Sequence, residues 1–275
     1  MKKSLLIFSS SGLFLILLSF TCIPPILKAG KIQQDYAKVK GNLYFSKYEV
    51  SNVEYRTFIN FLANTNQIEL LAVCRPDSAK WSVFFQDVEP FSVFYPSAKA
   101  YDNYPAVTIS YEAAINYCKW LTEQYNSDNE RPFKKVIFRL PTEQEWGHAA
   151  SGGKDNRLYG IEGNSIRNKN GLSLCNFKHV ADENITFDPE TKTYKIITPK
   201  NNNTFILSEK SSFQPNEYGL FNMSGNAAEM VAEKGIAKGG SFNDPGYDVR
   251  IKSIKRYSGP SPEIGFRTVM EILER

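Results

Sequence analysis

The chain has 275 residues, 42% hydrophobic and 13% aromatic, which excludes a disordered protein and leaves room for one large domain or two small ones. Its 33 basic and 29 acidic residues give a net charge of +4. That balance, with no basic stripe interleaved with aromatics, excludes nucleic acid as the partner.

In chain order, the first element is a targeting segment. Met1-Lys2-Lys3 is a basic start, and Leu5 to Leu18 is an apolar run broken by Ser9, Ser10, Ser11 and Gly12. Such a segment directs export and stands outside the fold. Cys22 follows Ser19-Phe20-Thr21, where a bacterial lipoprotein is cleaved and acylated, although Thr21 is larger than the residue usual before such a cysteine. Ordinary cleavage near Ala29-Gly30, or an uncleaved anchor, is the alternative. Pro24 and Pro25 stop any helix, and the following stretch reads as a polar tether. The organisation expected is a signal or lipoprotein segment over 1–22, a tether over 23–41 and a folded domain over 42–275.

Asn42 to Val50 alternates enough for a strand. Ser51-Asn52-Val53-Glu54 is a capping box, with Val50 and Tyr55 placed as a hydrophobic staple. The helix it opens runs to about Ala63, with Tyr55, Phe58 and Leu62 on one face. Residues 64–103 carry Pro76, Pro90 and Pro96 and no sustained period, which predicts irregular chain with one short strand. Ser110 caps a second helix, Tyr111 to Tyr125, with Tyr111, Ala114, Cys118 and Leu121 in one stripe, so Cys118 and Trp120 read as core. Val136 to Leu140 is a short buried strand, and Thr142 to Glu145 is a second capping box opening a short third helix that ends by Ser151-Gly152-Gly153. Residues 154–212 are polar and Asn-rich, and two or three short strands are expected beyond Phe213. The sum is an α+β fold with much irregular chain.

There are four cysteines, Cys22, Cys74, Cys118 and Cys175, and no CxxC. Outside the cytoplasm one pair, such as Cys74 with Cys175, could oxidise, though no spacing demands it. The only histidines are His148, on the third helix and read as packing or surface, and His179, in a polar loop.

The stretch around which the chain is organised is Asn216 to Met230, NEYGLFNMSGNAAEM, followed by Lys238-Gly239-Gly240-Ser241-Phe242 and Gly265-Phe266-Arg267. It sets Asn222, Asn226 and Glu229 among apolar residues and two glycines. Amide and carboxylate oxygens, with carbonyls freed by tight turns, suit a hard cation such as Ca²⁺. A hydrophobic turn whose Asn side chains satisfy the backbone is the plainer reading.

Taken with Tyr48-Glu49-Val50-Ser51-Asn52-Val53-Glu54-Tyr55, Tyr104-Pro105-Ala106-Val107 and Arg139-Leu140-Pro141-Thr142-Glu143-Gln144-Glu145-Trp146, these motifs occur in an order that resembles the formylglycine-generating enzyme, or sulfatase-modifying factor, domain. The resemblance covers about Leu43 to Met270 and implies that family's variant of the C-type-lectin-like fold. The family's enzymes oxidise a sulfatase cysteine with O₂, copper and two cysteines just beyond the GGS motif; Cu(I) is soft and prefers sulfur. Here Ser241 to Arg250 contains no cysteine, and by register Asp244 and Val249 fall where the thiols would be. No copper is therefore expected. Sulfoxide synthases of the family use a histidine cluster, for which this chain has too few histidines.

The family's calcium loop carries over onto Asn222, Gly225, Ala227 and Glu229, with Glu49 as a further ligand; Ala228-Glu229-Met230 departs from the usual Trp-Glu-Trp. A second ion site would begin near Asn176, its later carboxylate unplaced between Asp182 and Asp188. The resemblance and the lipoprotein-like start imply a non-catalytic, membrane-anchored module of the bacterial envelope with a protein partner. Such modules occur among lipoproteins of gliding motility and type IX secretion. Two alternatives stand beside it. One is a metal-dependent oxidase, with converging groups near Asp244, Asp248 and Arg250. The other is a carbohydrate-binding lectin-like module.

Overall fold

The computed structural model describes residues 27–84, 91–178, 185–196 and 207–275. Cys22, Asp182 and His179 lie outside them. Among the described residues, no helix is long and apolar enough to cross a membrane.

The first described element is α1 (Ala29–Gln34), followed by β1 (Tyr36–Lys40), which pairs antiparallel with β2 (Leu43–Ser46). Most of the expected tether is thus part of the domain. Ala29 is fully buried, and its N–H donates to Asp128 Oδ2 at 2.8 Å. Tyr36 packs edge-on against Phe138 and its hydroxyl bonds Thr268 Oγ1 at 2.5 Å. A polar composition concealed these few anchoring contacts.

The expected strand over 42–50 is shorter, because the chain leaves the sheet after Ser46. Val50 N donates instead to Phe266 O, and Ala106 N to Val50 O, which threads this segment through the centre of the molecule. The capping box then opens α2 (Asn52–Asn64): Ser51 N donates to Glu54 Oε2 at 2.9 Å. Tyr55, Phe58 and Leu62 face the core as expected.

Beyond α2 the irregular stretch resolves into α3 (Ile68–Cys74), a 3₁₀ turn at Ser78–Val83, α4 (Phe91–Ser97) and a 3₁₀ turn at Lys99–Tyr101, with no strand among the described residues. Elements of two turns or less show too little period to be read from pattern. Next, α5 (Tyr111–Ser127) begins at the Ser110 cap, whose Oγ accepts from Ala113 N at 3.1 Å. Cys118 and Trp120 are buried in the core. An aromatic cluster of Tyr55, Phe58, Tyr117, Trp120 and Phe266 ties α2, α5 and the later strands together.

β3 (Lys135–Arg139) precedes α6 (Glu143–Ala150), whose capping box forms with Thr142 N donating to Glu145 Oε2 at 2.9 Å and Glu145 N to Thr142 Oγ1 at 3.2 Å. A hairpin of β4 (Ile185–Asp188) and β5 (Thr193–Ile196) follows, with Asp188 Oδ1 accepting from Glu190 N in its turn. The last third adds β6 (Ala228–Met230), β7 (Ile236–Lys238), β8 (Lys255–Arg256), β9 (Ile264–Phe266) and β10 (Val269–Glu274), more strands than expected. They complete two four-stranded sheets, ordered β1-β2-β10-β3 and β8-β7-β6-β9. The first is antiparallel throughout, while β6 and β9 run parallel. The class is α+β. Cys74 and Cys175, a pair that could have oxidised, are not bridged: Cys74, Cys118 and Cys175 are free and buried, Cys74 in the main core and Cys175 in a separate small cluster.

Candidate functional site

The organising stretch is held open by its own polar side chains. Asn216 Oδ1 accepts from Tyr218 N and Leu220 N, and its Nδ2 donates to Ala149 O. Asn222 and Asn226 both adopt positive φ, 54° and 66°, which asparagine tolerates. Gly225, at φ 77°, lies so close to the neighbouring chain that a Cβ would sit 2.1 Å from Asn176 O. These turns bring two buried carboxylates into the centre of the fold.

The first is Glu229 on β6, only 1% exposed. Trp146 Nε1 donates to its Oε2 at 2.6 Å, and Arg267 binds it through Nε at 3.0–3.1 Å and Nη2 at 2.6 Å. Arg267 is itself fully buried, between β9 and β10. Its Nη1 donates to Ser46 O at 2.8 Å, and its Nη2 donates also to Phe221 O at 2.7 Å. One guanidinium thus joins β2, the organising stretch and β6. Such a pair is costly to assemble and more costly to break.

The second is Glu49, just beyond β2 and 0% exposed. Its direct partners are neutral: Asn222 Nδ2 at 2.8 Å, Asn226 Nδ2 at 3.1 Å and Ala227 N at 3.2 Å. Burial pushes its carboxyl up to about 8; the charge of Glu229 adds to the rise, and Arg267 with the two amides pulls against it. One guanidinium thus bonds Glu229 and reaches Glu49 only through its field. Asn222 Oδ1 is buried and has no hydrogen-bond partner.

The residues expected at the ion site are brought together only in part. Asn222 and Ala227 each meet Glu49, Ala227 through its N–H and not the carbonyl expected to bind the ion, and the charge of Glu229 is felt at Glu49. The carboxylate of Glu229 is engaged by Arg267 and Trp146, and sequence reasoning missed both partners. The Gly-Phe-Arg and Glu-Trp motifs were visible, but the sequence does not show that they meet on one carboxylate. Asn226 acts mainly as a brace, accepting at Oδ1 from Asn176 Nδ2 and Ser208 N. A Ca²⁺ ion seeks about 6–8 oxygens. The orphaned Asn222 Oδ1 and the uncompensated carboxylate of Glu49 fit such an ion.

The loop after the GGS motif has different chemistry. Asp244 Oδ2 accepts from Ser241 N at 2.8 Å and Ser241 Oγ at 2.7 Å, and Lys255 Nζ reaches both Asp244 oxygens at 2.7 Å and also pairs with Glu263. Val249 is fully buried against Cys175 and Phe177. Cys175, distant in sequence, is therefore near in space, but burial pushes its thiol up to about 12. Asp248 is exposed, and the Arg250 guanidinium stacks on Tyr247 at 3.3 Å from the ring centroid. With Asp244 paired to Lys255, Asp248 exposed and Arg250 stacked on Tyr247, the three form no converging set. A hard carboxylate tied to a lysine and an aliphatic side chain do not fit copper(I). His148 lies exposed in the last turn of α6 beside Tyr218. Among the described residues no group of three or more His, Cys, Asp or Glu is placed to hold a metal.

The architecture defines a class: an α+β domain of short elements, with two small sheets pinned by a buried carboxylate–guanidinium pair. Residues 33–272 match the sulfatase-modifying factor enzyme 1-like domain, and the chain belongs to that family. It is 25% identical to the formylglycine-generating enzyme of Bos taurus over 209 residues, covering 69% of this chain and 48% of that protein. It is 30% identical to that of Thermomonospora curvata over 131 residues, 48% of this chain and 34% of that one. The chain spans about half the length of the curated relatives it matches, or less. Among solved structures, CarF shares the fold with a TM-score of 0.54 at 20% identity, over 84% of this chain and 86% of that one. Treponema denticola variable protein 1 gives 0.50 at 16%, over 86% and 91%.

Proposed function

We propose that the chain is a non-catalytic member of this family, exported and membrane-anchored through Cys22, that serves as a binding or structural module for another protein of the bacterial envelope. The observation that carries the non-catalytic reading is the Asp244–Lys255 ion pair and the buried Val249 at the two positions where the family's oxidase needs thiols. The lipoprotein-like start supports anchoring and, by resemblance, a role in gliding motility or protein secretion. A structural Ca²⁺ held by the side chains of Asn222 and Glu49 and the backbone carbonyls of Gly225 and Ala227, with Glu229 committed to Arg267 and Trp146 and adding only its nearby charge, belongs to the same reading. It is supported by the orphaned Asn222 Oδ1 and the charge imbalance at Glu49.

Radiolabelled fatty acid fed to cells is expected to enter the wild-type protein and not Cys22→Ala. Crosslinking in intact cells should join the wild type to a defined envelope protein. An unlabelled wild type whose mature N-terminus starts near Gly30, together with no crosslinked partner, would reject the anchored-module reading.

A further inference from the structure

The folded domain starts very close to Cys22 in sequence. Only residues 23–26 separate Cys22 from Leu27, and two of them are Pro24 and Pro25. From Leu27 onward the chain is tied down. Leu27 N donates to Gln124 Oε1 at 3.3 Å, Lys28 Nζ to Glu130 Oε2 at 3.0 Å and Ala29 N to Asp128 Oδ2 at 2.8 Å. All three partners lie in the last turn of α5 or just beyond it. Cleavage near Ala29-Gly30 would discard every one of these bonds. The five steps from Cys22 to Leu27 span at most about 18 Å. A lipid on Cys22 therefore keeps the end of α5 within that distance of the bilayer surface. The longer tether expected over 23–41 would have let the domain turn freely, and this one does not.

The side chains around that point suit a phosphate-bearing surface. Lys31 follows Lys28 by three residues, on the same side of α1. Arg131, Lys134 and Lys135 line one shallow cleft with Asn126 and Glu274, beside the loop that holds Asp128 and Glu130. Lys28 is answered by Asp128 and Glu130, and Lys134 by Glu274. Three cations remain. Lys31 and Lys135 are exposed and make no ion pair among the described residues. Arg131 donates to carbonyls, Nε to Lys134 O at 2.8 Å and Nη1 to Asp128 O at 2.9 Å. Lysine meets a phosphate as a point charge and arginine as a fork.

We infer that this face, formed by α1, the end of α5 and residues 128–135, rests on the phospholipid headgroups of the membrane that holds Cys22. Lys31, Arg131 and Lys135 meet lipid phosphates there. The inference rests on the anchored reading and adds to it an orientation: the domain stands on the bilayer by its α5 end, which leaves its other faces for a protein partner.

The test uses the full chain, purified from membranes and returned to phosphatidylglycerol-containing vesicles that carry a nitroxide on the lipid headgroup. A thiol-reactive fluorophore is placed at Asn129→Cys, an exposed site on the proposed face, or at Tyr247→Cys, in the loop beyond the GGS motif. Cys74, Cys118 and Cys175 are buried and do not compete for the label. Fatty acid on Cys22 is measured in the same preparations. The expected result is strong quenching at Asn129→Cys and none at Tyr247→Cys. Lys31→Glu combined with Lys135→Glu, both at exposed positions, should lose the quenching at Asn129→Cys while Cys22 stays acylated. Acylated protein quenched equally at the two sites, or unquenched at Asn129→Cys, would overturn the orientation and leave the anchor standing. Quenching unaltered by the double charge reversal would overturn the phosphate contacts. Protein without acyl chains would reject the anchored reading, and this inference with it.

Discussion

Glu49 is a buried carboxyl whose direct partners are all neutral, and its behaviour with pH follows from that. Its carboxyl is raised from 4.5 to about 8 in the fold, by burial first and by Glu229 second. Between those values the folded state keeps a proton that the unfolded chain has released, so stability falls as pH rises through the window. The slope is at most about 1.4 kcal/mol per pH unit. In chelator, the wild-type melting temperature should therefore decline from about pH 5 to about pH 8, and Glu49→Gln should remove that component of the decline. Millimolar Ca²⁺ should flatten the wild-type profile and leave Glu49→Gln unchanged. A wild type indifferent to calcium and chelator at pH 8 would remove the ion from the account. Glu229 has the opposite character, since its charge is already answered by Arg267. Glu229→Gln leaves a buried guanidinium half-paired and should cost about 3–5 kcal/mol in urea unfolding. A loss below about 1 kcal/mol, the size of a surface pair, would show that the pair does not pin the sheets.

Among the elements, those with a local chemical signature were legible in the sequence. The Ser51–Glu54 and Thr142–Glu145 boxes and the Ser110 cap each name their own helix start, because the bonding partners lie three residues apart. The short strands β6 to β9 were not separable, since runs of two or three residues carry no alternation to count. The site was legible to the same degree. Glu49, Asn222 and Glu229 were singled out, but the pairing of Glu229 with Arg267, across 38 residues, was not, because sequence spacing does not encode such a contact. The stretch 29–40 misled because its polar composition outweighed a few decisive residues: Ala29, Tyr36 and Val39. Removing residues 27–40 strips α1 and an edge strand from the first sheet. The truncated domain should melt well below the intact one, whereas a true tether could be lost without effect. Equal melting temperatures would contradict the docked N-terminal segment.

At the scale of the whole molecule, the chain keeps the family's architecture, and the loop beyond its GGS motif holds the Asp244–Lys255 ion pair. The scaffold rests on the Glu229–Arg267 centre and on aromatic packing around Tyr117 and Phe266, neither of which involves Asp244 or Val249. The proposal that the family's fold serves here without the family's oxidase chemistry is the central claim. The most direct measurement incubates the purified full chain with Cu(I), O₂ and a peptide carrying a sulfatase-type cysteine motif, and follows the peptide cysteine by mass spectrometry. The account predicts that the cysteine stays unconverted, at the level of a control with metal and no protein. Formylglycine produced above that control, in proportion to the amount of this protein, would contradict it.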